Sequence, residues 1–160
     1  MKILVLYFSK GGNTRKLAEA VAEGAGSING VEAVLKTTDA VSKDDFIEAD
    51  GVIAGSPVYF GLLAADLKRI FDEFVSVRRK MEGKVGAAFA TSADLSGGKE
   101  TTMMSIIQAM LIYGMVIVGD PMDATGHFGT ACVGAPDAAA SENARKLGRR
   151  VAETALKLSD

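Results

Sequence analysis

Ile3-Leu-Val-Leu-Tyr-Phe8, followed at once by Ser9-Lys-Gly-Gly-Asn-Thr14, is the stretch that decides the fold. Six apolar residues in succession, mostly β-branched, aromatic or Leu, suit a strand covered on both faces, as in a parallel sheet. The next six carry two hydroxyls, an amide and two glycines, and beyond them Leu17, Ala18, Val21, Ala22 and Ala25 recur at helical spacing. A strand-loop-helix unit of this kind aims backbone N–H groups and a positive helix end at one point, where a phosphate is stabilised. The spacing is not that of a Walker loop, because Lys10 precedes the glycines, nor that of a Gly-x-Gly-x-x-Gly dinucleotide fingerprint. The loop therefore reads as a cradle for a terminal phosphomonoester, solvated by neutral donors. The plainer alternative is the tight first turn that any α/β protein needs.

Working outward, strands and helices alternate. Val31 to Lys36 reads as a second strand, Val41 to Glu48 as a short helix, and Asp50 to Gly55 as a third, buried strand closed by Ser56-Pro57. Leu62 to Val77 places Leu63, Leu67, Ile70, Phe71 and Phe74 on one helical stripe. Lys84 to Ala90 is a fourth strand, Thr101 to Tyr113 a helix stopped by Gly114, and Met115 to Val118 a fifth strand. A Gly-rich segment follows, and Ala138 to Leu158 is a long amphipathic helix. No repeat or linker interrupts this order, so residues 1–160 form one doubly wound α/β domain with a parallel sheet.

Composition narrows the function classes. A net charge of −2 and a pI near 5.5 argue against nucleic-acid binding, and Arg78-Arg-Lys80 reads as a solvated helix end. The single cysteine, Cys132, has no Cys or His at metal-ligand spacing and reads as a small buried residue on a strand; no metal site is expected. One cysteine and an apolar run too short for a signal peptide or membrane span are the pattern of a cytoplasmic protein. The methionines, including Met103, Met104, Met110, Met115 and Met122, read as core filler.

In doubly wound folds the functional groups gather at the carboxyl ends of the strands. That rule selects Ser9 to Thr14, Ser56 to Gly61 and Thr91 to Lys99, all rich in Gly and hydroxyl residues. Pro57 fixes the second loop, and Tyr59 with Phe60 puts aromatic surface beside the site, where it can cover a planar conjugated ring. Phe60 reads equally well as a plug at the end of the sheet. The third loop offers free backbone donors and acceptors to the edge of a ring such as an isoalloxazine, and Asp94 within it faces either the ring or solvent.

These segments carry a family resemblance. The chain resembles flavodoxin-like FMN proteins along essentially its whole length, and most closely the WrbA-type NAD(P)H:quinone oxidoreductases. The segments that carry it are Val5-Leu-Tyr-Phe-Ser9 with Gly12, Ala18 to Gly24, Gly55-Ser-Pro-Val-Tyr-Phe-Gly61, Ser96-Gly-Gly-Lys-Glu-Thr101, Gly114 to Val118, Gly126 to Thr130, and the helix from Asn143 to Leu158. The resemblance implies a flavodoxin-like three-layer sandwich, with a five-stranded parallel sheet in the order 2-1-3-4-5 and helices on both faces. It implies FMN, with the phosphate on Ser9, Lys10, Gly11, Gly12, Asn13 and Thr14. It sets Pro57, Val58, Tyr59, Phe60 and Gly61 by the ring and ribityl chain, and Thr91, Ser92, Ala93, Asp94, Ser96, Gly97 and Gly98 on the opposite edge.

Three departures bear on function, two from the WrbA pattern and one from that of electron-carrier flavodoxins. The chain passes from Leu35 to Asp50 without the additional stretch that WrbA-type enzymes carry, Tyr113 stands where they tend to have His, and the Trp and strongly acidic balance of many electron-carrier flavodoxins are absent, so steering of partners by charge should be weak. Tyr113 and His127, the only histidine, are the candidate catalytic residues, and His127 reads equally well as a loop residue without chemistry. Two functions follow: an electron carrier passing electrons through FMN between redox partner proteins, or an FMN-dependent oxidoreductase using NAD(P)H and quinone. The resemblance also implies assembly into a dimer or tetramer.

Overall fold

In the computed structural model, which describes residues 1–159, the opening apolar run is strand β1 (Lys2–Tyr7). Its residues alternate between two cores, as a strand with both faces covered must. Ile3, Val5 and Tyr7 pack among α1 (Asn13–Gly26) and α5 (Ala138–Ser159), while Leu4 and Leu6 face the opposite layer. That layer comprises α2 (Lys43–Glu48), α3 (Ala65–Glu73), a 3₁₀ segment (Phe74–Met81) and α4 (Lys99–Ile112). The helices α1 and α5 cross closely because Gly24 and Gly148 lie at the contact: a Cβ on either would overlap backbone of the other helix.

Parallel strands β2 (Glu32–Thr37), β3 (Gly51–Pro57) and β4 (Val85–Ser92) build the sheet around β1 in the order β2-β1-β3-β4. The fifth place is shared by two short strands on the outer edge of β4, β5 (Val116–Ile117) and β6 (Thr130–Val133), both parallel to it. The order 2-1-3-4-5 therefore holds, with the fifth strand broken by the excursion 118–129. Buried Asp120 organises that excursion, its carboxylate accepting from the N–H groups of Gly126 and His127.

The helix expected over Leu62 to Val77 is shorter at both ends. It starts at Ala65, and the chain from Phe74 tightens into 3₁₀ turns that keep Phe74, Val77 and Met81 inward and leave Arg78, Arg79 and Lys80 in solvent. Met103, Met110 and Met115 fill the core as expected, whereas Met104 and Met122 are exposed. No helix of the described residues is long and apolar enough to cross a membrane.

Candidate functional site

The carboxyl ends of β1, β3 and β4 bring the three expected loops together, and specific bonds tie them. The loop after β1 reaches the loop after β4 through Thr14 and Thr91, whose buried hydroxyls lie 2.8 Å apart. The loop after β3 reaches the same strand end through Val58, which donates its N–H to the carbonyl of Thr91 at 2.8 Å. A third contact is glycine on glycine. A Cβ on Gly98 would stand 3.0 Å from the Cα of Gly61, so the second and third loops touch through bare backbone.

The first loop is closed by Ser9, whose Oγ accepts from the N–H of Gly12 at 3.1 Å and of Arg15 at 3.3 Å. Gly12 has φ +90°, a conformation that Gly adopts without the Cβ penalty, and there the chain turns into α1. The first turn of α1 has no acidic residue and no side-chain cap. Among the described residues none accepts from the N–H groups of Gly11, Asn13 or Thr14. Space above Gly11 and Gly12 is open, with no atom within 4 Å of an added Cβ on either. Unpartnered N–H groups at the start of a 14-residue helix, beside clear volume, fit the phosphomonoester of FMN. Thr14 differs in detail from the expectation. Its hydroxyl is bonded to Thr91, so it serves the loop-to-loop tie as well as lying in the cradle.

In the second loop Tyr59 and Leu62 form an isolated antiparallel bridge, and the two residues between them, Phe60 and Gly61, have φ of 52° and 77°. This is a tight turn of the kind that demands positive φ, with a phenylalanine at a position glycine would occupy more comfortably. The turn projects Phe60 into solvent, so the reading of Phe60 as a plug at the sheet end is set aside. Tyr59 is exposed at 39%, its ring meeting Phe8 edge-on at 6.3 Å. Beneath the turn, Ser56 Oγ accepts from the N–H of Ala64 at 2.8 Å and donates to the Pro57 carbonyl, while Ser105 Oγ accepts from the N–H of Leu63 at 3.1 Å. Ser56 and Ser105 brace the loop, a role nothing in their sequence surroundings marks.

The third loop turns tightly after β4. The Asp94 carbonyl accepts from Ser92 Oγ and from the N–H of Gly97, so Asp94 holds the turn with its backbone and leaves its side chain in solvent. Ala93 and Ser96 are exposed as well, and Gly97 packs against Ser92. Gly98, at φ +88°, leads into α4, which like α1 begins without a side-chain cap. Two glycine-led helix starts thus border the same end of the sheet. Lys10 is exposed at one border, and Lys99 at the other donates to the Leu95 carbonyl.

Tyr113 is not brought to these loops, whereas His127 lies on the excursion 118–129, whose Thr125, Gly126 and Gly129 border a small cavity with Lys99 and Glu100 at the start of α4. Tyr113 caps the far end of α4, next to Val116, which pairs with Val85 at the amino end of β4. There it is buried, donates its hydroxyl to the Phe71 carbonyl at 2.5 Å, and packs edge-on against Phe46 and Phe71. Burial pushes its phenol up to about 12, so it is a neutral structural donor. The physical reason is directional: α4 starts at the carboxyl end of the sheet and its 14 residues carry the chain back along about 21 Å. His127 lies exposed on the excursion beside β4, at φ 81°, its N–H held by Asp120. Cys132 sits on β6 as expected of a strand residue but is only partly buried, because β6 is a short strand at the sheet's edge, and that burial raises its thiol to about 11.

Comparison with known proteins agrees with this geometry. Residues 36–129 match the family model described as NADPH-dependent FMN reductase. A flavodoxin of Aquifex aeolicus is 39% identical over 159 residues, covering 95% of this chain and 85% of the relative. An NAD(P)H dehydrogenase (quinone) of Archaeoglobus fulgidus is 34% identical, with 98% of each chain covered, over 188 aligned positions, more than this chain has residues. Among solved structures, a flavodoxin, WrbA-like protein from Agrobacterium tumefaciens superposes with a TM-score of 0.86 at 29% identity over 98% of both chains.

Proposed function

Because the chain belongs to the NADPH-dependent FMN reductase family of flavodoxin-like FMN-binding proteins, we propose that it holds one FMN on the three loops and works as an electron carrier between partner proteins. The flavin, when bound, supplies reversible transfer of one or two electrons, and the protein supplies binding, orientation and electrostatics. The free N–H groups of Gly11, Asn13 and Thr14, with the hydroxyl of Ser9, hold the phosphate. Lys10 lies at the same border and adds a screened positive charge. Pro57 to Gly61 and Thr91 to Gly98 frame the ring, Tyr59 as an exposed aromatic face and the third loop through backbone donors and acceptors.

One observation supports the choice of carrier: the connection between β2 and β3 is short. Tyr113 lies in the opposite end of the core, and His127 points from the excursion into solvent. Between β2 and β3 the only helix or strand is the six-residue α2, fastened by the Ser42–Asp45 capping box, without the additional stretch of the WrbA pattern. The likeness to an NAD(P)H dehydrogenase (quinone) favours the second reading, in which nicotinamide and quinone react in turn at the same open face. We place the protein in the cytoplasm because a chain with one cysteine relies on no disulfide framework.

Anaerobic mixing of the FMN-loaded protein with NADH or NADPH separates the two readings. The carrier reading expects slow loss of the yellow flavin band with either nicotinamide and ready reduction by a one-electron donor. Rapid bleaching followed by turnover with a soluble quinone would establish the oxidoreductase instead.

A further inference from the structure

Two stretches of the chain have no part in the three loops: the uncharged run Thr101 to Gly119 and the basic triplet Arg78-Arg-Lys80. From Thr101 onward α4 is uncharged yet lies at the surface, with Leu111 57% and Ile112 67% exposed. Between α4 and α3 runs a groove of about 430 Å³, floored by Leu63, Phe71, Val75, Ala109, Ile112 and Tyr113. Its α4 wall extends from Ser105 to Tyr113, ~12 Å at the helical rise, leading away from the cofactor loops. The floor has no free hydroxyl, since that of Tyr113 donates to the Phe71 carbonyl. On the border, Lys68 and Asp72 pair with each other at 2.6 Å. Arg78 borders the end farthest from the loops, and it, Arg79 and Lys80 are exposed with no acidic partner among the described residues.

We propose that this groove is a binding site for a small amphipathic anion, a linear apolar chain ending in one carboxylate, with the chain along the floor and the head at Arg78. Size selects a small molecule. A volume of about 430 Å³ falls in the range of roughly 300–1,000 Å³ typical of small-molecule sites, which are likewise mostly apolar with a few polar groups that orient the ligand. Shape selects the body: a trough between two helices, apolar along its length, takes an extended chain. Charge selects the head. Lys68 and Asp72 cancel each other, so Arg78 leaves the border with one uncompensated positive charge, and its planar fork matches a carboxylate. The trough ends at Leu63, two residues beyond Gly61, and shares no lining residue with the phosphate cradle, so FMN and the anion are held at the same time.

Calorimetric titration of the full chain with decanoate, decan-1-ol and decyltrimethylammonium, with and without saturating FMN, tests this, and circular dichroism confirms that each variant folds. Decanoate is expected to bind once per chain, equally well with FMN present, and about fivefold more tightly than decan-1-ol; the cation should bind more weakly than either. Arg78→Glu should lower decanoate affinity about tenfold and leave that of decan-1-ol unchanged. Ala109→Trp, which fills the groove, should lower both at least tenfold; Ile112→Glu does the same should Ala109→Trp fail to fold. Decanoate that does not saturate, that FMN displaces, or that binds the groove variants undiminished overturns the proposal. So does sedimentation showing the groove closed by self-association or by a phosphatidylglycerol vesicle.

Discussion

At the amino end of the sheet Lys84 directs its ammonium to the carbonyls of Phe46, Ile47 and Ala49, whereas at the carboxyl end α1 and α4 follow glycines and receive no side-chain cap. The amino end is closed. Tyr113 donates to the Phe71 carbonyl within a cluster of Phe46, Phe71 and Phe74, and burial lowers the pKa of Lys84 against the opposing pull of the Asp50 carboxylate. The carboxyl end instead joins its loops by a few ties and leaves N–H groups free. One end satisfies its polar backbone from within the chain, and the other presents it to a ligand. Changes at the first should therefore cost stability, and changes at the second should cost flavin affinity.

The largest effect is expected from Phe46→Ala, which empties the centre of the amino-end aromatic cluster and should lower unfolding free energy by about 3–5 kcal/mol. FMN affinity of the folded protein should not change; a parallel loss of affinity would erase the distinction between the ends. The reverse pattern is expected of Gly12→Val. At φ +90° it strains the loop, and flavin titration should show affinity reduced about 100-fold, near 2.7 kcal/mol. Denaturant melts of that variant without flavin should move far less than those of Phe46→Ala.

Lys84→Met leaves the three carbonyls without their donor and is expected to cost about 2 kcal/mol in urea unfolding, with flavin binding intact. A further effect lies at high pH. The unfolded phenol of Tyr113 ionises from its ordinary value of 10, while the folded one keeps its proton to about 12, so its contribution is complete below pH 10 and is lost as pH rises to about 12. Thermal melts of Tyr113→Phe should be flatter across that window than those of wild type.

Much of this division was legible in the sequence. The buried run Ile3 to Phe8 and the glycine loop after it located the carboxyl-end site, because long apolar strands and glycine turns are local signals. Strand β6 escaped: four residues between Gly129 and Gly134 are too few to show a period, and their pairing with Phe89 to Ser92 is a long-range fact. Tyr113 was drawn to the site by its place relative to a family histidine, although the direction of α4 carries it to the other end. Ser56 and Ser105 show a different limit. Their value lies in bonds to Ala64 and Leu63, and for Ser105 the partner is 42 residues away.

The central claim is that the first loop is a phosphate cradle, and titrating flavin-free protein with FMN and with riboflavin tests it most directly. One FMN per chain, bound at least 100-fold more tightly than riboflavin, is the result predicted for free N–H groups at a helix start. Equal affinity for the two flavins would contradict it.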